Sequence, residues 1–360
     1  MIRVALVAPA VRGAMQYHIT AMIQHINQED VNLNLFVPQY FKSSFPCVHR
    51  YPLPQANWMK MTCYLNPYWA YLRFMEIKRI QPDVIHIFNS EGYPSVILWS
   101  RWTRRKLSIP LIVSIHDPEP HPGTLIGWLN HHLGKLTTRE AHAVHIFSEH
   151  FRTAVHNSGF TSENIYVVPL MTYVREFTQY RIITIQREPM VLFFGRLEKY
   201  KGIDILLESA LMLRSQYRFV IAGPGKLPFK LLRIIQSYPD LFELRNYYLP
   251  EQEVAELFQR ASVCVMPYIQ GTQSSVPWLA AAFGVPLVAT DVGGIASQCR
   301  EIGGIVVPSK DPHALARGII EASQIETKLP PHWEPQNIAE QYEAMYHSVY
   351  MSYTLNRCKI

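Results

Sequence analysis

The chain has 360 residues, 48% of them apolar and 17% charged, which allows two domains with sizeable cores and excludes a disordered segment. Its formal charge of +6 suits an anionic substrate or an anionic membrane surface without selecting one. Five scattered cysteines without a C-x-x-C pair fit a reducing compartment, and fifteen histidines fall into no metal-ligand spacing, so no metal is expected.

The opening MIRVALVAPA is too short an apolar run for a signal peptide, because it ends at Pro9. No run approaches the roughly 18 apolar residues of a membrane span, so the expected location is the cytoplasm, or the inner face of a membrane. Val4 to Ala8 reads as a buried strand, and Met15, Ile19, Met22, Ile23 and Ile26 recur at helical spacing. Gly13 and Ala14 stand at that helix start, where small residues permit close approach of a phosphate or sugar. Leu33 to Val37 is a second strand, residues 41–60 read as irregular, and a helix is expected from Tyr68 to Ile80. Asp83 to Phe88 is the next strand. Trp99 and Trp102 then interleave with Arg101, Arg104, Arg105 and Lys106. That segment has two readings, a surface lying on an anionic bilayer or a helix end whose tryptophans pack on the domain; the second is the commoner case.

Leu111 to Ile115 is a strand ending in His116 and Asp117, followed by a proline-stiffened loop that holds His121. Residues just past the C-terminal end of a parallel strand face the ligand crevice of an open α/β sheet. A histidine there can act as acid, base or donor near neutral pH. The loop therefore lines a sugar or acceptor, with His116 foremost and Asp117 and His121 behind it, or Asp117 merely caps a helix. Ala143 to Phe147 and Ile165 to Val168 close a first domain over residues 1–171, and residues 172–189 read as a linker.

In the second half Val191 to Phe194 is a buried strand, Gly195 allows a sharp turn, and a helix with Ile203, Leu206, Leu207 and Ala210 on one face follows Gly202. Arg196 and Lys201 lie between them, beside a helix N-terminus that itself favours anions. This is a diphosphate clamp or a pair of solvated cations. Phe219 to Ala222 is a strand whose Gly223 and Gly225 permit backbone approach to a ligand. Val263 to Met266 is a strand, Gly271 to Ser275 is polar, and Val276 to Phe283 is a helix. Asp311 caps a helix with Pro312 at its first position, completing a domain over residues 190–330. The tail 331–360 carries a helix with Ile338, Tyr342, Met345, Tyr346 and Val349 on one face.

GRL-x-x-x-KG before an amphipathic helix resembles the nucleotide-sugar site of the family 4 glycosyltransferases, and strand–His116–Asp117 is similar to their N-terminal domain. The resemblance is strongest from Met190 to Pro308 and weak between Phe41 and Ile80. It implies the α/β GT-B class, two doubly wound Rossmann-like domains facing across a cleft, with the last helix returning to the first. The first domain would then be on the acceptor side and the second would bind the nucleotide sugar. It implies transfer from a nucleotide-diphosphate sugar to a glycan or lipid-linked acceptor, with retention, in polysaccharide biosynthesis. Arg196 and Lys201 would hold the diphosphate and His116 would orient the sugar. Gly13, Ala14, Gly195, Gly223 and Gly225 would line the donor. The leaving phosphate would take the acceptor proton, and fixed cations would replace a metal, so no cofactor is expected. Peripheral contact with an anionic membrane fits this class, and one basic cluster is too little for nucleic acid.

One departure matters. Many members carry two glutamates eight positions apart, and the matching positions are Gly271 and Leu279. The turn instead reads Thr272, Gln273, Ser274, Ser275 and Val276, similar to a TQSG-type turn in a subset of the family. There Ser274, Ser275 and the helix amides would hold the diphosphate, Gln273 would face the sugar, and Thr272 to Ser275 would also cap the helix. The missing pair motivates an alternative, a non-catalytic nucleotide-sugar or glycan-binding subunit, which Arg196, Lys201 and His116 oppose. A nucleotide-sugar epimerase lacks a convincing set of cleft carboxylates here. A nicotinamide oxidoreductase lacks G-x-G-x-x-G with an acidic residue about 20 positions on.

Overall fold

The apolar runs become parallel strands of two sheets, which belong to separate units, Met1–Met171 with His332–Ile360 and Thr172–Pro331. The computed structural model describes the chain outside residues 10, 12–13, 55–56, 89–92, 117–124, 272 and 358–360, and the backbone alone for residues 14, 57–58 and 125–131.

The first unit holds β1 (Ile2–Val7), α1 (Ala14–His25), β2 (Val31–Pro38), β3 (Val48–Tyr51), α2 (Asn57–Leu65), α3 (Pro67–Arg79), β4 (Val84–Ile87) and α4 (Pro94–Trp102). After a π-helical turn (Thr103–Leu107) come β5 (Leu111–Ile115), α5 (Leu125–Thr138), β6 (Ala143–Ile146), α6 (Arg152–His156) and β7 (Ile165–Val167). The strand order is β3-β2-β1-β4-β5-β6-β7, and every pair is parallel. Helices cover both faces of such a sheet, which is why β4 and β6 are buried at every position. Phe74 and Ile77 of α3 and Trp99 of α4 pack on Val7, Phe36 and Ile85.

The second unit holds α7 (Arg175–Thr178), β8 (Glu188–Phe194), α8 (Ile203–Met212), β9 (Arg218–Ala222), α9 (Phe229–Ser237), β10 (Phe242–Arg245) and α10 (Glu251–Arg260). It continues with β11 (Ala261–Met266), α11 (Val276–Ala282), β12 (Leu287–Thr290), α12 (Gly293–Glu301), β13 (Ile305–Val307) and α13 (Pro312–Ala322). Its order is β10-β9-β8-β11-β12-β13, again parallel. Asp311 Oδ1 accepts from the Ala314 amide at 2.9 Å and Pro312 opens α13, as the local sequence dictates. Helix α14 (Pro335–Arg357) belongs to the first unit, where Ile338, Tyr342, Met345, Tyr346 and Val349 are buried.

Two stretches differ from their reading. Residues 41–60 are not wholly irregular: β3 adds an edge strand to β2, and α2 begins at Asn57. VHRY carries few apolar residues because an edge strand is only half covered. The supposed linker 172–189 contains α7 and the first two residues of β8, and its Tyr173 and Phe177 are buried. Tyr173 meets the Trp278 ring at 6.0 Å, so this segment is anchored in the second unit. Among the described residues, no helix is long and apolar enough to cross a membrane.

Candidate functional site

Each sheet reverses its strand order once, between β1 and β4 in the first unit and between β8 and β11 in the second. Ligands of open parallel sheets bind outside the carboxyl ends of the strands at such a switch point. In the second unit the loops there are Gly195–Gly202 and Pro267–Ser275.

These two loops are locked together. Gly202 sits at φ +67°, and a Cβ on it would lie 1.9 Å from the Pro267 carbonyl oxygen, so glycine is required twice over. The Ile269 amide donates to the Tyr200 carbonyl at 2.7 Å. Thr290 Oγ1 and Ser309 Oγ both donate to the Tyr268 carbonyl, at 2.6 and 3.1 Å. Lys201 is thereby pressed onto Tyr268: it is 9% exposed, and its Nζ lies 3.6 Å from the Tyr268 ring centroid and 5.0 Å from that of Tyr200. Burial pushes Lys201 down to about 7, the Arg196 charge adds to that push, and Glu198 opposes it. Aromatic faces attract a cation but satisfy none of its N–H donors.

Arg196 is different. Its side chain is 62% exposed, bound to Glu198 at 2.7 Å and donating to the Tyr200 hydroxyl at 3.3 Å. The two cations of the motif are therefore held differently: Lys201 by packing, Arg196 by a carboxylate that the motif left unassigned. A guanidinium with five donors on a solvated stem takes whichever anion is nearest.

The glycines after β8 and β9 serve the chain itself. A Cβ on Gly223 would lie 2.1 Å from the Gly195 carbonyl oxygen, and one on Gly225 would lie 2.4 Å from that of Leu197. Leu197 and Gly225 form an isolated parallel bridge. The close backbone approach expected at Gly223 and Gly225 is thus made to the neighbouring loop, with Gly195 at φ +148° in the turn.

The polar turn is likewise drawn inward. The Ser274 amide donates to Gln298 Oε1 and its carbonyl accepts from Gln298 Nε2, both at 3.1 Å. The Val276 amide donates to Ser274 Oγ at 3.3 Å, so Ser274 serves the start of α11, while Tyr173 bonds Ser275. Two groups expected to face a diphosphate, the Ser274 and Val276 amides, are engaged within the protein. Gln298, buried on α12, was not singled out from the sequence; a lone glutamine in a helix gives no signal. Gln273 is half-buried, Thr272 lies outside the described residues, and Leu279 is buried in the core.

In the first unit His116 follows β5 and is half-buried, its ring tilted against Phe147 at 4.4 Å and edge-on to Phe88 at 5.7 Å. Gly13, Asp117 and His121 lie outside the described residues, and Ala14 opens α1. Beneath His116 lies a buried group absent from the sequence reading, His18, His86 and His145. His145 Nε2 lies 2.9 Å from the Val168 carbonyl, which only accepts, so that nitrogen carries the proton. Its Nδ1 then accepts from Ser114 Oγ at 2.8 Å, Ser114 Oγ accepts from His86 Nε2 at 2.7 Å, and His86 Nδ1 accepts from the Tyr346 hydroxyl at 2.9 Å. His18 Nδ1 accepts the Met171 amide at 2.6 Å. Burial holds all three well below the usual histidine range, His145 to about 3, so each is neutral. The described residues hold no group of three or more His, Cys, Asp or Glu able to bind a metal ion.

Two family models match the chain, a glycosyl transferase 4-like domain over residues 13–171 and glycosyl transferases group 1 over residues 188–324. A D-inositol 3-phosphate glycosyltransferase of Streptomyces griseus is 29% identical over 142 residues, 36% of this chain and 30% of the relative. An uncharacterized glycosyltransferase of Methanocaldococcus jannaschii is 29% identical over 136 residues, 37% of this chain and 35% of that one. The chain thus spans about a third of the length of these relatives. Among solved structures, Anabaena HepE in complex with UDP-glucose superposes with a TM-score of 0.66 at 14% identity, covering 100% of both chains. The sucrose-phosphate synthase of Thermosynechococcus elongatus gives 0.66 at 16% identity, covering 100% of this chain and 99% of that one. Identities this low speak for the fold, which is GT-B.

Proposed function

Because the chain belongs to the family 4 glycosyltransferases, we propose that it transfers a sugar, with retention, from a nucleoside-diphosphate sugar to a hydroxyl of a glycan or lipid-linked saccharide. The observation that carries this reading is Lys201, a cation buried against Tyr268 at the switch point of a parallel sheet. A buried ammonium packed on rings and only partly compensated by Glu198 is stabilised by an arriving diphosphate, and more so as the departing diphosphate gains charge. Binding that strengthens along the reaction is what lowers a barrier. Arg196 joins the same anion when Glu198 releases it. The leaving phosphate oxygen takes the acceptor proton on this reading, so no side-chain base is needed, and His116 orients the sugar. Two side-chain cations supply the charge, which makes the reaction independent of added metal. We place it in the cytoplasm, with which the free thiols Cys47, Cys63, Cys264 and Cys299 are consistent.

The test is calorimetric titration with a panel of nucleoside diphosphates and their sugars, in magnesium and in EDTA, UDP-glucose first because HepE was crystallised with it. A member that binds equally in both buffers should then yield a transfer product of unchanged anomeric configuration. No binding by any member, or binding that requires magnesium, contradicts the reading.

A further inference from the structure

Tyr268 ends in a hydroxyl with nothing to bond. The residue is 1% exposed, and its Oη meets no hydrogen-bond partner. Among the described residues of the second unit, Thr172–Pro331, it is the one buried side-chain polar atom left so. Buried polar groups are normally paired, because an unpaired one forfeits its hydration for nothing. Burial pushes this hydroxyl well above the usual tyrosine range. Ser274 stands close enough to oppose that push, but not in hydrogen-bonding geometry. The phenol therefore keeps its proton at neutral pH and is a donor without an acceptor.

Packing does not account for it. Lys201 Nζ lies 3.6 Å from the ring centroid, and phenylalanine would offer the lysine an aromatic face as well. The loop is fastened through the Tyr268 carbonyl, which accepts from Thr290 and Ser309 without help from the hydroxyl. What the hydroxyl has is its place. Tyr268 follows β11, and a Cβ on Gly195, which follows β8, would lie 3.6 Å from Oη. The side chain thus spans the switch point between these two strands. With Lys201 on the face of the same ring, one phosphate group can accept from the ammonium and the phenol together.

We infer that Tyr268 Oη donates a hydrogen bond to the diphosphate of the nucleotide sugar, beside Lys201. This role rests on the diphosphate reading of Lys201 proposed above. A bond to a charged oxygen is stronger than one to a neutral oxygen. The departing diphosphate gains charge, so the hydroxyl holds it more tightly as the bond to the sugar breaks. Ser274, which Gln298 holds through its amide and its carbonyl, is what the anion displaces from beside the hydroxyl.

The experiment is Tyr268→Phe in the full chain, with urea unfolding, NMR of Lys201 Nζ, and calorimetry with UDP and UDP-glucose or whichever such pair the wild type binds. The urea midpoint should stay level or rise, because only an unpaired hydroxyl is lost. Affinity should fall about tenfold for the nucleoside diphosphate and for its sugar alike. Lys201 in the free variant should titrate as it does in the wild type, near about 7. Unchanged affinity for both ligands overturns the inference. So does a loss confined to the nucleotide sugar, which would put the hydroxyl on the sugar instead. A lowered urea midpoint overturns it by showing that the protein itself, through Ser274, completes the hydroxyl. A shifted Lys201 overturns it because the loss would then act through the lysine. Failure of the wild type to bind any nucleotide sinks the transferase reading and this role together, whereas wild-type binding with an unaffected variant sinks this role alone.

Discussion

Both units bury titratable groups near the ligand edge of a parallel sheet, but they complete them differently. His86 and His145 of the first unit are closed on themselves: from Tyr346 through His86, Ser114 and His145 to the Val168 carbonyl, each donor meets an acceptor. Lys201 of the second unit is open: its ammonium faces the rings of Tyr268 and Tyr200. A closed polar network rigidifies a core. A buried charge without a hydrogen-bonded counter-ion favours whatever anion can reach it. The first arrangement reads as architecture and the second as a site.

The comparison breaks most visibly in acid. His18, His86 and His145 are depressed in the folded chain, so below their unfolded value of about 6.5 only the unfolded chain takes up these protons. Stability is full above that pH and falls as pH drops toward the folded values. Each histidine should remove about 2 kcal/mol between about pH 7.5 and about pH 5, less than additively. Urea unfolding across that range measures it, and a flat profile would show that the histidines are not buried neutral. Lys201→Ala comes next. It should weaken nucleotide-sugar binding about 100-fold in calorimetry. The urea midpoint should stay level or rise, because a buried, partly compensated charge leaves with the side chain. Arg196→Ala should cost about tenfold in affinity, less than Lys201→Ala, since an exposed guanidinium already paired with Glu198 gains less from the exchange. Tyr346→Phe removes one donor from the histidine chain and should lower stability by about 1 kcal/mol without altering donor affinity. Glu198→Gln should raise donor affinity about two- to threefold by freeing Arg196. Loss of affinity there would mean that Glu198 positions the donor rather than competing with it.

Much of the fold was legible because parallel strands covered on both faces are written as apolar runs. VLFF, LIVSI and AVHIF become β8, β5 and β6. Not every edge strand was legible: β7 was read at Ile165 to Val168, but VHRY and FELR are half-covered and carry charge, so β3 and β10 escaped. The motif named Arg196 and Lys201, but a pattern of residue types cannot say that one is buried and the other exposed. Nor could it foresee Glu198, whose pairing depends on side-chain conformation. DVIHIF and AVHIF were read as strands, with nothing in the pattern to single out their histidines. Their hydrogen bonds run across β4, β5, β6 and α14, from elements as far apart in sequence as His86 and Tyr346. The glycines after β9 were legible as sites of close approach, though what approaches them is the neighbouring loop.

The central claim is that Lys201 is incomplete until a diphosphate reaches it. NMR detection of its Nζ, titrated with pH in the free chain and with the nucleotide sugar that binds, tests this directly. The free amine should titrate near about 7, and bound donor should raise that value well above it. Nucleotide-sugar affinity should then fall about tenfold between about pH 6 and about pH 8, because the diphosphate of such a donor does not itself titrate there. A Lys201 that titrates near the ordinary value of about 10.4 in the free chain, or that does not respond to the donor, would contradict the account.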